Sequence, residues 1–184
     1  LVARKVAAIA TAYPQVRRLK SRYDAKVHLV GNPVRESVRD LREEAFPVFS
    51  EDSVLRLLVT GGSQGATILS SVVPAGLGML PISLRRRLQV TQQCRPEDIE
   101  TVRSAYRDLG IDAELHTYLE DLPAVLARSH LVIARAGAST IAELTVAGRP
   151  AILVPLPSAM DDHQTVNARE MAAEGGARAI PQSH

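Results

Sequence analysis

Tryptophan is absent from this 184-residue chain and only 3% of its residues are aromatic, so it offers few flat faces on which the bases of a nucleic-acid strand could stack. A formal net charge of +2 is too small to mark a nucleic-acid reader by its field. The single cysteine, Cys94, excludes an internal disulfide framework and any metal site built from several thiolates. No apolar run approaches the roughly 20 residues that cross a bilayer, and the first residues lack the charged, apolar and cleavage regions of a secretory signal. The segment itself is expected to be soluble. What is present is ordinary for a folded chain: 46% hydrophobic and 23% charged residues lie far from the composition of disorder. The length suits one domain with a sizeable core plus an appendage.

Short runs of Val, Ile, Leu and Ala recur with helical-period stretches between them, the pattern of repeated βα units around a buried parallel sheet. The predicted strands are Ala7–Ala12, Val27–Val30, Leu55–Thr60, Leu88–Thr91, Ala113–Tyr118, Leu131–Ala134, Ala151–Pro155 and Ala177–Ile180. The predicted helices are Gln64–Leu80, Pro96–Leu109, Leu122–Arg128, Thr140–Ala147 and His163–Ala173. Pro74 falls inside the first of these, where a lost N–H and a crowded preceding turn predict a kink or break. The acidic, proline-punctuated stretch Leu41–Asp52 reads as a linker. A boundary near Asn32 divides an N-terminal segment, 1–32, from a six-stranded unit, 33–184. The ending Gln182-Ser183-His184, with no helix after the last strand, and the opening on Leu1 give the expectation of a fragment.

Three segments carry chemistry. Strand Leu55–Thr60 runs into Gly61-Gly62-Ser63-Gln64-Gly65-Ala66 and then a helix; glycines there let the backbone approach a ligand, and the helix start presents free N–H groups to an anion. A phosphate would fit, with the Ser63 hydroxyl as a further donor; a tight turn that binds nothing fits equally. The third glycine of the dinucleotide fingerprint is missing. The second segment, Arg135–Glu143, also follows a strand at the sheet edge where ligands bind. Glu143 suits the paired hydroxyls of a ribose, but Thr140 and Glu143 also have the spacing of a capping box, which would commit the glutamate to its own helix start. The third segment, Pro155 to Ala168, offers Asp161, Asp162, His163, Gln164 and Asn167 to sugar hydroxyls. Asp161 or Asp162 would otherwise serve as a helix N-cap. No second cluster completes a metal shell, so no metal is expected. Cys94 reads as a small buried residue, His116 and His130 as structural, and Arg85-Arg86-Arg87 as a solvated run.

Together, Gly31-Asn32-Pro33-Val34-Arg35, the loop Gly61–Ala66, Arg135–Glu143 and Asp161-Asp162-His163-Gln164-x-x-Asn167-Ala168 resemble the MurG family in order and spacing over essentially the whole chain. That family transfers N-acetylglucosamine (GlcNAc) from UDP-GlcNAc to lipid I, forming lipid II, at the cytoplasmic face of the bacterial plasma membrane, with a two-domain GT-B fold. The resemblance implies an α/β, Rossmann-like parallel sheet with helices on both faces, here the C-terminal, donor-binding domain, cut short at its end, preceded by a remnant of the acceptor domain. It implies that Ser63 with Gly62 and Gln64 binds the donor's phosphates and that Arg35 assists nearby. By the same resemblance Leu119 would contact uracil through its backbone, and Glu143 would hold the ribose. Ala138, Ser139, Thr140, Ile141 and Ala142 would line the nucleotide site. Gln164 would read the GlcNAc hydroxyls, with His163 in the place of its polar neighbour. The implied reaction is inverting and metal-independent and uses no cofactor. The general base, the lipid I cleft and the peripheral membrane patch belong to the other domain, so no base is assigned here and the chain alone is expected to be inactive. One departure stands out: where many members have His-Gln-x-Gly, this chain has Gln92-Gln93-Cys94-Arg95. The rivals are an NAD-dependent dehydrogenase, which would want an acidic residue where Gln92-Gln93 stands, another UDP-sugar enzyme such as a non-hydrolysing UDP-GlcNAc epimerase, and a stand-alone nucleotide-sugar-binding module.

Overall fold

The computed structural model describes residues 2–13, 19–62, 66–159 and 162–183, and the chain forms two compact units, Leu1–Val34 and Arg35–His184. In the first, β1 (Ile9–Thr11) pairs in parallel with β2 (Val27–Leu29), Ile9 opposite Val27. The apolar runs predicted longer strands here. The pair ends early because the N–H groups of Val30 and Gly31 both turn onto the Thr11 carbonyl, at 2.9 and 3.2 Å. Lys26, closing the turn before β2, donates to the Val6 carbonyl at 2.7 Å.

The second unit is built on six parallel strands: β3 (Leu55–Thr60), β4 (Leu88–Gln93), β5 (Asp112–His116), β6 (Leu131–Ala134), β7 (Ala151–Leu153) and β8 (Ala177–Ala179). Their order across the sheet is β5-β4-β3-β6-β7-β8. The chain winds outward from β3 on one side, then returns and winds outward from β6 on the other. Where it reverses, the connections leaving β3 and β6 diverge and open a crevice at the carboxyl edge. Each of the six predicted strands is present, β3 and β6 with the predicted bounds and the others with ends moved by one or two residues.

Sheet faces alternate along each strand, so Leu57, Val59 and Val90 meet Leu69 and Val73 of α2 (Thr67–Gly78) and Val102 and Tyr106 of α4 (Ile99–Leu109). On the opposite face lie Leu58, Val132 and Leu153, each 0% exposed. Burying each such side chain is worth about 1.5–3 kcal/mol. Of the predicted kink or break, the break is absent: helix α2 runs from Thr67 to Gly78 through Pro74, whose ring is itself buried. Two short helices, α1 (Glu36–Arg39) and α3 (Ile82–Arg85), were not foreseen; four residues are too few to leave a periodic signature. The predicted linker Leu41–Asp52 is partly structured. A 3-10 turn spans Asp40–Glu43 and buries Leu41, and Phe46 and Phe49 both lie 6.0 Å from the His130 ring. That ring accepts the Arg56 N–H at Nδ1 (3.0 Å) and pairs with the Val48 carbonyl at Nε2 (3.0 Å), so Nε2 carries the proton.

Arg149 ties down two helix ends. Gly148, at φ 62°, closes α6 (Ala138–Ala147) in the left-handed conformation that glycine adopts without strain. The next residue, Arg149, is 3% exposed. Its guanidinium donates to the carbonyls of Leu126 (2.8 Å) and Ala127 (2.9 Å) at the end of α5 (Leu122–Arg128) and to Ala147 (2.8 Å) at the end of α6.

Cys94 is 1% exposed beside Ser70 and Gln92, and burial, with the Asp98 charge adding, pushes its thiol above the ordinary range. The thiolate is the reactive form, so the native chain at pH 8 should leave Cys94 unmodified by iodoacetamide while the urea-unfolded chain is fully alkylated, read by mass spectrometry. Equal rates would show that the β4–α4 junction opens. The unfolded thiol ionises near about 8.5 and the folded one higher. Its contribution to stability is therefore full below that pH and is lost as pH rises through the raised folded value.

Candidate functional site

A cavity of 970 Å³ lies at the carboxyl edge where the sheet order reverses. Its walls come from separate stretches of sequence: Arg35; Thr60, Gly61 and Gly62, then Ala66, Thr67 and Ile68; Gln93 and Arg95; residues between Tyr118 and Leu126; the loop after β6; the loop after β7 with Gln164; and Gln182. Two helices of substantial length start at it, α2 and the ten-residue α6, whose Gly137, Ala138, Ser139 and Thr140 all line it. Helix starts carry unpaired N–H groups and the positive end of the backbone dipole. Three arginines, Arg35, Arg95 and Arg135, and one carboxylate, Glu143, are among the described lining residues. The cavity therefore favours an anion.

Helix α6 begins at Ala138, two residues before its predicted start, with Gly137 in the capping position and no side-chain cap. Glu143 therefore sits in the second turn, beyond reach of a capping box. Its Oε1 instead accepts two bonds from Arg35, from Nε at 3.0 Å and Nη2 at 2.7 Å. Of the two roles open to Glu143 in the sequence, the cap is excluded by this geometry.

The glycine loop is held by a relay of side chains. The Gly62 N–H donates to Thr60 Oγ1 (3.3 Å), the Thr60 hydroxyl to Gln93 Oε1 (2.8 Å), and Gln93 Nε2 to the Thr117 carbonyl (3.4 Å). Gln93, 6% exposed, thus links the loop after β3 to the turn at 117–119 after β5. This gives the departing motif Gln92-Gln93-Cys94-Arg95 a role. Gln92 accepts the Tyr106 hydroxyl in the core, Gln93 braces the loops, and Arg95 adds a cation to the cavity wall.

On the other side of the crevice Gln164, near the start of α7 (His163–Ala173), accepts the N–H groups of Ala136 (3.2 Å) and Leu156 (3.0 Å) at its Oε1. Two backbone donors fix which amide atom is oxygen, so the groups that Gln164 can present to a ligand are N–H donors. Asn167, one turn on and 5% exposed, donates to the Ala136 carbonyl at 3.0 Å. The pair clamps both sides of Ala136 immediately before α6. Arg135, 9% exposed, donates to the carbonyls of Val154 (3.0 Å) and Pro155 (3.1 Å) and to Gln182 Oε1 (2.8 Å). Burial pushes its pKa down, yet a guanidinium keeps its proton in proteins.

Of the residues singled out in the sequence, Arg35, Gly62, Leu119, Ala138, Ser139, Thr140, Glu143 and Gln164 line the cavity. Ile141 is 7% exposed in the core, and neither it, Ala142 nor the exposed His163 is among the lining residues. Ser63 and Gln64, and Asp161, lie outside the described residues. Asp162 does occupy the capping position of α7, at φ 54°, but its side chain makes no cap bond. Among the described residues no three His, Cys, Asp or Glu side chains group as metal ligands, and no helix is long and apolar enough to cross a membrane.

A family profile described as the glycosyltransferase family 28 C-terminal domain matches residues 56–184. The chain belongs to that family. It is 67% identical over 183 residues to the UDP-N-acetylglucosamine--N-acetylmuramyl-(pentapeptide) pyrophosphoryl-undecaprenol N-acetylglucosamine transferase of Novosphingobium aromaticivorans, covering 100% of this chain and 47% of that one. It is 64% identical over 182 residues to the protein of the same name from Erythrobacter litoralis, covering 99% and 46%. The chain thus spans about half the length of the curated relatives it matches. Among solved structures, Acinetobacter baumannii MurG superposes with a TM-score of 0.73 at 30% identity, over 99% of this chain and 49% of that one. The MurG resemblance read from the motifs is borne out, and with it the Rossmann-like α/β fold of a GT-B C-terminal domain. In this family 28 domain sequence reasoning gave no individual role to Gln93, Arg95, Arg135 and Gln182, and it offered Asn167 to sugar hydroxyls where the structure has it bonded to the Ala136 carbonyl. Asn167 stood inside a quoted motif at helical spacing from Gln164, and that spacing was the available signal.

Proposed function

We propose that this family 28 domain supplies the donor site for transfer of GlcNAc from UDP-GlcNAc to lipid I, forming lipid II. The observation that carries the reading is the cavity at the reversal of the sheet, where two helix starts, three arginines and Glu143 converge. The helix starts suit a diphosphate, the turn at 117–119 the uracil, Glu143 the ribose and the Gln164 amide the sugar ring. Ser63 and Gln64 in the glycine loop belong to the phosphate subsite by the same reading. Loss of UDP as leaving group builds negative charge on the diphosphate, and fixed N–H dipoles stabilise it without reorganising. The reaction proposed is a metal-independent inversion.

The acceptor, lipid I, and peripheral attachment to the cytoplasmic face of the bacterial plasma membrane are part of this proposal for the longer protein. Residues 1–32 are assigned to its acceptor domain and residues 33–184 to the donor domain. The base that deprotonates the acceptor is assigned to the acceptor domain, so this chain alone should not turn over. The name shared by the relatives of 64–67% identity supports this choice over other UDP-sugar enzymes.

Calorimetric titration with UDP-GlcNAc, UDP-glucose and NAD tests the donor site. The UDP sugars should bind and NAD should not, with UDP-GlcNAc preferred. Tight NAD binding, or no heat from a chain shown to be folded by circular dichroism, would overturn the reading.

A further inference from the structure

Arg35 stands just before α1, which packs on α6, and its guanidinium reaches across to the carboxylate of Glu143. Both of its bonds, at 3.0 and 2.7 Å, end on one oxygen, Oε1. The carboxylate side chain is 13% exposed and the guanidinium 49%. The start of α6 is capped by backbone at Gly137, so Glu143 is not held in a cap on its own helix. A carboxylate fixed at one oxygen has its plane and direction set, and its second oxygen can receive hydroxyl donors. An arginine committed in this way is also neutralised as a partner for phosphate, and its charge offsets the repulsion between Glu143 and a diphosphate in the same cavity.

We infer that Arg35 is a positioning residue for the sugar-diol acceptor Glu143, acting on the ribose end of the nucleotide and not as a phosphate ligand. The inference rests on the reading of Glu143 as the ribose contact. It predicts that Arg35 governs discrimination between ribose and deoxyribose.

The test compares UDP with 2′-deoxy-UDP by calorimetry on the unchanged chain and on Glu143→Gln, Arg35→Gln and Arg35→Lys, each checked by circular dichroism. The unchanged chain should prefer UDP by about tenfold, the worth of one hydroxyl donated to a carboxylate. Glu143→Gln should bring the ratio close to one. Both Arg35 variants should lower it to about threefold or less, the lysine included, because one ammonium does not reproduce the two-pronged hold. A phosphate ligand would behave otherwise: Arg35→Gln would weaken both nucleotides equally, Arg35→Lys would restore both, and the preserved ratio would overturn the inference while leaving the ribose reading intact. An unchanged chain that does not distinguish the two nucleotides would overturn the ribose reading, and the inference with it.

Discussion

Replacing Arg149 by leucine is expected to lower the unfolding free energy by about 3–5 kcal/mol, the range for stripping a buried, multiply bonded charge of its role. The guanidinium donates to Leu126, Ala127 and Ala147, three carbonyls at the ends of two helices, where backbone acceptors have no partner within the helix. Leucine leaves Ala127 and Ala147 without that donor, at about 1–3 kcal/mol for each that water cannot reach, while Leu126 keeps the Ser129 N–H at 3.1 Å. It also removes a cation from the negative ends of both helix dipoles and the guanidinium that lies 5.2 Å from the centre of the Phe46 ring. Lysine keeps the charge but lacks the planar fork, so Arg149→Lys should fall between the two. Equilibrium urea unfolding reads this as a lower midpoint at unchanged slope. A loss below about 1 kcal/mol would show that water takes over the carbonyls and that the helix ends are held by packing alone.

At Gln164 two substitutions should part company. Alanine removes the acceptor for the N–H groups of Ala136 and Leu156 and the amide donors together, so it should cost about 1–3 kcal/mol of stability and weaken UDP-GlcNAc binding by about ten- to a hundredfold. Glutamate still offers an oxygen to both N–H groups, now as a charge-assisted acceptor, and should leave the melting temperature unchanged or raised. It has no N–H to give a sugar and adds a negative charge to an anion-binding cavity, so the binding loss should match or exceed that of alanine. Thermal melts and calorimetry on the two variants separate the brace from the sugar contact. If glutamate bound UDP-GlcNAc as well as the unchanged chain does, the amide nitrogen would have no part in recognition.

The inner strands β3, β6 and β7 were legible in the sequence because each is a short apolar run largely buried on both faces, and burial of that kind leaves little freedom of residue type, whereas the edge strands β5 and β8 keep exposed residues in alternation. Helix starts were less so. The periodicity of α6 begins at Thr140, where the apolar positions become regular, but the helix itself begins at Ala138 because Gly137 caps it through its backbone and leaves no side-chain signature. That shift of two residues decides the role of Glu143. Described residues of all three loop motifs line the cavity, where glycines after a strand allow a close backbone approach. The braces were not legible: Gln93 meets Thr60 and Thr117, and Asn167 meets Ala136, through separations of 24 to 33 residues that only the folded sheet brings together. Arg149 left no signal in the sequence, because its partners are carbonyls, and every residue has one.

The reversal between β3 and β6 also divides the labour of recognition between two wings of one sheet. The turn at 117–119 follows β5 at the end of one wing, whereas the stretches that include Ala138 and Gln164 follow β6 and β7 on the other. Heritable change in one wing need not disturb the other. On the proposed reading, a descendant could take up a different sugar by redrafting the segment between β7 and α7 while inheriting unaltered the turn proposed for the base, and a grafted β7–α7 segment would be the unit to exchange in the laboratory.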